Sequence, residues 1–229
     1  MRKEAGAVTT LEDWRGNQNV DRLMSTYEGR KNAIQNRLRE FREIGERPDA
    51  EIFKEMCFCL LTPQSKARVC DKAVRSLAAE DLLANGSMEE ILPHLEGVRF
   101  RNGKARWIVA AREQFFKDGK WVLKKRLEEF QDTLKAREWL VANMLGMGYK
   151  EAGHFLRNIG KGEELAILDR HIMKNLLRHG VIDIVPTSLS KREYLRIEAL
   201  MKEFSDRIGI PMADLDLLFW SNETGEIFK

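Results

Sequence analysis

A lysine and an aspartate, Lys150 and Asp169, are the side chains whose types and spacing most favour chemistry in this sequence. Their separation, 169 − 150 = 19 positions, leaves room for one helix and a short loop that returns the aspartate towards the lysine. A partly desolvated lysine at a helix start loses its proton more easily, and its neutral amine can form a Schiff base. A carboxylate beside it assists proton transfer. A surface lysine with a helix-capping aspartate is the other interpretation, and it stays open here.

Two glycines precede the lysine, and they predict a tight turn between two helices. Gly146 and Gly148 flank Met147, and glycine tolerates positive φ and lets a backbone approach closely. The next helix then starts at once, with free amide groups that can hold a phosphate. A helix–hairpin–helix of this kind holds a DNA backbone without reading its sequence. An ordinary corner between two helices fits the same pattern.

The elements that must position these residues are helices. Amphipathic spacing predicts helices over residues 51–61, 64–79, 102–116, 134–145, 149–159 and 169–179. A longer helix begins after Ser190, which has Glu193 three residues on, and ends at Gly209. Strand-like alternation is scarce, so the sequence predicts an all-α fold.

Composition excludes several classes of protein. The 229 residues carry 39 Lys and Arg against 36 Asp and Glu, and 43% are hydrophobic, which argues against disorder. No apolar run is long enough to span a membrane, and the first residues contain no apolar core of a signal peptide. Cys57, Cys59 and Cys70 lie in apolar stretches, so we expect buried reduced thiols, no metal site and a cytoplasmic protein.

The small net charge of +3 hides a basic middle segment. Residues 101–150 contain 12 basic and 6 acidic side chains, and Arg101 and Lys104 stand in its most basic part. These two residues are candidate contacts to DNA phosphates. A solvated helix face with local salt bridges is the alternative for either of them.

The motif around the lysine resembles a known family. Leu145-Gly146-Met147-Gly148-Tyr149-Lys150-Glu151-Ala152 and Leu168-Asp169-Arg170-His171-Ile172 are similar to the helix–hairpin–helix and following aspartate of the endonuclease III-like DNA glycosylase superfamily. The run Gly148-Tyr149-Lys150-Glu151-Ala152-Gly153-His154-Phe155-Leu156-Arg157-Asn158 is closest to the type-2 8-oxoguanine DNA glycosylase/lyases. The resemblance covers about residues 50–229, and its specific part is the Lys-to-Asp spacing.

The resemblance implies a two-lobed helical enzyme with its active site in the cleft between the lobes. Residues 51–164 would form one lobe, and residues 1–50 with 165–229 the other. Lys150 would attack the sugar of a flipped nucleotide, with Asp169 as its partner. The enzyme would thereby excise 8-oxoguanine from double-stranded DNA and cut the strand by β-elimination. The iron–sulfur cysteines of endonuclease III are absent. No cofactor is expected except a monovalent cation at the hairpin carbonyls, and the enzyme is expected to be a monomer.

Further residues gain roles from the same resemblance. Gln64, in Leu61-Thr62-Pro63-Gln64-Ser65, would fill the space that the flipped base leaves. Trp220 would stack on the base, with Phe228 beside it, while the carboxylate of the terminal Lys229 would accept hydrogen bonds from a guanine edge. The alternatives are a polar helix start at Gln64, a core tryptophan and a solvated tail.

Two other functions remain open from the sequence alone. The first is a glycosylase for another damaged base, and the second is a helix–hairpin–helix module that binds DNA without catalysis. The pocket formed by Trp220 and Lys229 favours a guanine, and the Lys150–Asp169 pair favours an enzyme.

Overall fold

The structure is a computed structural model, and it describes residues 18–229. Within that range the chain forms twelve α-helices, a short 3₁₀ helix (Leu92–Leu95) and one two-stranded hairpin. The helices are α1 (Gln18–Glu46), α2 (Asp49–Leu61), α3 (Ala67–Ala79), α4 (Leu82–Asn85), α5 (Met88–Ile91), α6 (Arg101–Phe115), α7 (Leu123–Glu128), α8 (Thr133–Asn143), α9 (Tyr149–Asn158), α10 (Arg170–Arg178), α11 (Lys191–Ile208) and α12 (Met212–Thr224). The predicted all-α fold class is confirmed.

The helix ends predicted from the sequence agree with the structure to within a few residues where a capping residue or a glycine determines the end. Ser190 caps α11 by accepting a hydrogen bond from the Glu193 amide, and Gly209 ends the helix in the left-handed conformation. Helix α3 begins three residues later than predicted, because Gln64 adopts a positive φ of 56° that a helix excludes. The antiparallel hairpin of β1 (Phe116–Lys117) and β2 (Lys120–Trp121) is too short for its alternation to be visible in the sequence.

One hydrophobic cluster surrounds α2. It draws on residues 52–165 and also takes in Phe228 from the end of the chain. Every residue from Phe53 to Leu61 except Lys54 is buried, which is typical of a helix with neighbours on all sides. The three cysteines are free and buried in this core, and burial raises the pKa of the Cys70 thiol to about 11. The prediction of buried thiols is therefore confirmed.

A second hydrophobic cluster joins the two ends of the described chain. It takes residues 20–41 from α1 and residues 166–219 from the segment leading into α10 and from α10, α11 and α12. Helix α1 is 29 residues long and packs against both α9 and α12. It therefore runs along both clusters and holds the helix that carries Lys150 in a defined place relative to α12.

Helices α9 and α10 deliver the two candidate catalytic residues to the boundary between the clusters. Helix α9 packs on α2 and α8, and α10 packs on α12. The first turn of α9 carries Lys150, and Asp169 directly precedes the first turn of α10. Over residues 18–229, none of the helices is long and apolar enough to cross a membrane.

Candidate active site

A cavity of about 820 Å³ lies between the two clusters and gathers the predicted residues on its walls. Lys150, Asp169, Gln64, Trp220 and Lys229 all line it. They come from α9, the start of α10, the loop before α3, α12 and the chain end. Residues from five separate parts of the chain thus face one space, which is large enough for a nucleobase and its sugar.

The hairpin before α9 is built on a glycine that no other residue can replace without strain. Gly146 has a φ of +78°, and a Cβ atom added there would lie 2.3 Å from ring atoms of Trp107. Gly148 has an extended backbone, and its amide donates to the Glu151 carboxylate at 3.2 Å. Gly146 therefore allows both the turn direction and the close approach to Trp107, while Gly148 begins α9.

Lys150 is the second residue of α9, and its side chain is only 23% exposed. Its ammonium Nζ lies 3.0 Å from Glu151 Oε1. Because Glu151 also accepts the Gly148 amide, one carboxylate ties the lysine to the hairpin. The lysine is therefore held at the cleft wall at the junction of hairpin and helix.

Asp169 combines two positions that the sequence left as alternatives. It is the N-cap of α10, where its Oδ1 accepts hydrogen bonds from the amides of His171 (2.7 Å) and Ile172 (2.8 Å). It also lines the same cleft as Lys150. Both capping bonds end on one carboxylate oxygen, so the cap fixes the group and leaves the second oxygen outside the cap.

The floor of the cleft holds three buried polar side chains to which the sequence assigned no role. Asp216, Arg157 and His154 are each less than 10% exposed and line the cavity. Arg157 Nη1 pairs with Asp216 Oδ2 at 3.3 Å. Burial raises the pKa of Asp216 to about 7, with Asp169 adding to the rise and Arg157 opposing it. Burial likewise lowers the pKa of His154 well below its ordinary value, so its imidazole is neutral.

Several atoms of this floor lack a hydrogen-bond partner among the described residues. They are His154 Nε2, Arg157 Nε, Asp216 Oδ1 and Arg157 Nη1, whose contact with Asp216 is an ion pair without hydrogen-bond geometry. Buried polar atoms are normally paired, so the floor of the cleft is unusual in holding polar groups without a complete set of partners. One sequence signal could have found Asp216: it stands four residues before Trp220, on the same face of α12.

Gln64 stands at the tip of the loop between α2 and α3, with its side chain exposed towards the cleft. Its φ of +56° is unusual for a residue with a side chain and costs on the order of 1–2 kcal/mol. Neighbouring contacts hold the loop: the Ser65 amide donates to the Thr62 carbonyl, and the Arg99 amide donates to Ser65 Oγ, both at 3.0 Å. The structure thus presents the glutamine on a constrained loop.

The two candidate phosphate contacts have different positions. Arg101 is exposed at the start of α6, beside the exposed Phe100. Lys104 is fully buried, and its ammonium donates to the Leu61 and Pro63 carbonyls, both at 2.7 Å, and to Ser65 Oγ at 3.0 Å. An ammonium has three donors, and all three are used inside the protein. Lys104 is therefore not available to a DNA phosphate, and the sequence could not show that this one lysine of a basic segment points inwards.

The chain end is anchored rather than solvated. The Lys229 ammonium lies 2.8 Å from Glu55 Oε1 and 2.9 Å from Asp71 Oδ1, and Phe228 is buried. Arg37 of α1 donates to the Phe228 carbonyl at 2.7 Å. Burial raises the pKa of Asp71, but the hydrogen bond and charge of Lys229 outweigh it and leave that pKa below its ordinary value. The alternative of a solvated tail is therefore wrong.

Trp220 lines the cleft, and Phe228 packs beside it but is buried and does not line the cavity. Their ring centroids are 6.4 Å apart, and the Arg68 guanidinium lies 3.8 Å from the Phe228 ring centroid. Trp220 is only partly buried, so part of its ring faces the cavity. Among residues 18–229, no group of three His, Cys, Asp or Glu side chains is arranged to hold a metal ion.

Comparison with known proteins agrees with this geometry. The family model described as 8-oxoguanine DNA glycosylase matches residues 34–210. The chain belongs to the 8-oxoguanine DNA glycosylase family. A relative from Fusobacterium nucleatum, named 8-oxoguanine DNA glycosylase/AP lyase, is 42% identical over 214 residues, which cover 93% of this chain and 99% of the relative. A relative of the same name from Methanocaldococcus jannaschii is 38% identical over 200 residues, which cover 87% of this chain and 93% of the relative.

Solved structures of the 8-oxoguanine DNA glycosylase family share the fold. The Methanocaldococcus jannaschii 8-oxoguanine glycosylase/lyase in complex with a 15mer DNA containing 8-oxoguanine superposes with a TM-score of 0.83 at 34% identity, over 92% of this chain and 99% of that one. The 8-oxoguanine DNA glycosylase of Thermotoga maritima also superposes with a TM-score of 0.83, at 31% identity. The superposition covers 96% of this chain and 100% of that one. The two-lobed helix–hairpin–helix fold predicted from the sequence is confirmed.

Proposed function

We propose that this protein excises 8-oxoguanine from double-stranded DNA and then cleaves the strand at the resulting abasic site. The observation that carries the proposal is the presence of Lys150 and Asp169 on the walls of one cleft, in a chain that belongs to the glycosylase family. The cleft lies directly beside the hairpin that would hold the DNA backbone. Relatives that match along nearly their whole length are named 8-oxoguanine DNA glycosylase/AP lyase.

Lys150 is the nucleophile of the proposed reaction. Its neutral amine attacks the anomeric carbon of the flipped nucleotide, and the glycosidic bond breaks with its electron pair leaving on the base. Opening of the sugar ring then gives a Schiff base between Lys150 and the sugar. Loss of the neighbouring C2′ proton breaks the C3′–O bond, which cuts the strand by β-elimination.

Asp169 stabilises positive charge as the glycosidic bond breaks and assists the proton transfers. Its capping bonds to α10 hold the carboxylate in one orientation, so little reorganisation is needed during the reaction. The pKa of Asp216, about 7, places a second carboxyl that can exchange a proton near neutral pH at the floor of the same cleft.

The rest of the cleft supports a purine pocket. Trp220 offers a ring face for stacking, Phe228 supports it, and the Lys229 carboxylate would accept hydrogen bonds from the guanine edge. Gln64 would occupy the space that the flipped base leaves in the duplex. Gly146, Gly148 and the exposed Arg101 would meet phosphates along the backbone.

The hairpin also suits the predicted monovalent cation in one respect. The Met144 carbonyl accepts a long hydrogen bond of 3.4 Å from the Met147 amide and keeps an electron pair for an ion. Such an ion would add positive charge next to a DNA phosphate, and none of the steps above depends on it. The monomeric state and the cytoplasmic location stay predictions.

Borohydride trapping tests the proposed function. The wild-type protein, incubated with an 8-oxoguanine·C duplex and sodium borohydride, should form a covalent protein–DNA adduct, because borohydride reduces the Schiff base. Lys150→Gln should form no adduct and still bind the duplex, while Lys54→Gln, which changes a lysine paired with Glu51 on α2, should trap like the wild type. A wild-type protein that traps a duplex with another damaged base but not this one would identify a different substrate. Absence of trapping on every duplex would favour DNA binding without catalysis.

A further inference from the structure

The most unusual lysine outside the catalytic pair is Lys104. Its side chain is fully buried in the first turn of α6, although it belongs to a basic stretch whose neighbour Arg101 is exposed. Burial lowers its pKa to about 8, and the charge of Lys150 adds to that effect. A buried ammonium is costly unless all of its hydrogens are paired, so a position that serves only to fill the core would favour an apolar side chain.

The three contacts of Lys104 all end on one short segment. Leu61 is the last residue of α2, and Pro63 and Ser65 stand on either side of Gln64. The lysine therefore holds the loop immediately before and immediately after its tip. It also satisfies the Leu61 carbonyl at the end of α2, where carbonyl oxygens have no partner within the helix.

The tip that the lysine flanks is held in an unfavourable conformation. Gln64 has a φ of +56°, in the left-handed region, and such residues persist only where their surroundings hold them. Ser65 is the shared point, because its hydroxyl accepts both from Lys104 and from the amide of Arg99. Gln64 and Arg99 both line the cleft, so the same network reaches two residues of the cleft wall.

We propose that Lys104 is a positioning residue for opening the duplex: it fixes the loop of residues 62–66 so that Gln64 can enter the space of the flipped base. This inference rests on the proposed function, since it assigns a task within base excision. Lys104 touches neither DNA nor the reacting atoms. It acts through Gln64, so its loss should matter only where a base must leave a duplex.

The test compares Lys104→Gln on two substrates. On an 8-oxoguanine·C duplex, single-turnover excision should fall about tenfold, because flipping is slowed. On a single-stranded oligonucleotide with a preformed abasic site, borohydride trapping should stay within about twofold of the wild type, because nothing has to be flipped. An equal loss on both substrates would show a general structural role and overturn the inference.

A double-mutant cycle with Gln64→Ala gives a second readout. In the Gln64→Ala protein, adding Lys104→Gln should change duplex excision by less than about twofold, because the residue that the lysine positions is already missing. Fully additive losses would overturn the inference. If Lys104→Gln does not fold, the same comparison is made with Ser65→Ala. That change removes the loop hydroxyl that accepts one of the three hydrogen bonds of Lys104.

The control variant is again Lys54→Gln, which should leave both substrates unaffected. The two proposals fail in different ways. A wild-type protein that never traps 8-oxoguanine DNA refutes the proposed function. A wild-type protein that traps, together with a Lys104→Gln protein that excises from duplex at the wild-type rate, refutes only the role of Lys104.

Discussion

At the scale of single residues, Asp169 combines an observed structural role with the proposed chemical role on one carboxylate. Its Oδ1 caps α10, and the residue also lines the cleft with Lys150. Aspartate and asparagine are comparable helix caps, whereas alanine is a poor one. The two roles can therefore be separated by substitution.

We expect Asp169→Asn to keep the fold and the binding of 8-oxoguanine DNA, and to slow single-turnover excision by about 100-fold or more. Asp169→Ala should be equally slow and also less stable by about 1 kcal/mol, because the cap to His171 and Ile172 is lost. Excision rates and urea unfolding measure the two effects. An Asp169→Asn protein that excises at the wild-type rate would remove the carboxylate from the mechanism.

The pH dependence of stability tests the environment of Asp216. Its pKa is raised from 3.8 to about 7 in the folded protein, so the folded state binds more protons than the unfolded state between these pH values. Its contribution to the free energy of unfolding is therefore complete below pH 3.8 and falls as the pH rises through 7.

Asp216→Asn removes this titration, so the variant should gain stability relative to the wild type as the pH rises from 4 to 8. The loss of the partner of Arg157 shifts the difference by a constant, because arginine stays charged throughout this range. Urea unfolding at several pH values gives the comparison. A difference that stays constant across the range would contradict the raised pKa.

At the scale of elements, the hairpin between α8 and α9 depends on Gly146. We expect Gly146→Ala to lower the free energy of unfolding by more than about 2 kcal/mol, since it combines a left-handed backbone with a Cβ 2.3 Å from the Trp107 ring. Gly103→Ala in α6 is the matched control, because nothing lies within 4 Å of the added Cβ. That change should raise stability by about 0.5–1 kcal/mol.

Thermal or urea unfolding and the anisotropy of labelled duplex DNA measure both glycine variants. Gly146→Ala should also bind duplex more weakly, because the amides at the start of α9 are displaced. If the two alanine variants prove equally stable and bind alike, the hairpin does not require the left-handed backbone of Gly146.

At the scale of the whole molecule, the chain end links both hydrophobic clusters at the cleft. Helix α12 belongs to one cluster, whereas Phe228 packs in the other, and Lys229 pairs with Glu55 of α2 and Asp71 of α3. The tail therefore crosses the boundary between the lobes. Its position therefore depends on both of them.

A glycine appended after Lys229 should leave the ammonium anchor intact and displace the terminal carboxylate. We expect a weaker preference for 8-oxoguanine over guanine, with little change in stability. Deletion of Lys229 should weaken the preference and also destabilise the fold by about 3 kcal/mol, because Glu55 and Asp71 lose their partner. Excision from paired lesion and normal duplexes measures the preference. An unchanged preference in the extended protein would show that the carboxylate does not read the base.

The sequence by itself determined seven of the twelve helices, the glycine turn before Lys150 and the spacing that brings Asp169 back to it, whereas α1, α4, α5, α7 and α12 were not predicted. These features are local: amphipathic periodicity, a serine cap at Ser190 and glycine at positive φ act within a few residues of the chain. The sequence did not predict the short hairpin of β1 and β2, because a strand of two residues is too short to show alternating hydrophobicity.

Only the tertiary structure decided which polar side chains turn inwards. Lys104 meets carbonyls some 40 positions away in the chain, Lys229 meets Glu55, and Arg157 meets Asp216. Neither charge nor spacing along the chain distinguishes these residues from exposed ones. Burial of a charged group depends on partners that other elements supply after packing, so the floor of the cleft and the anchored tail became visible only in the folded molecule.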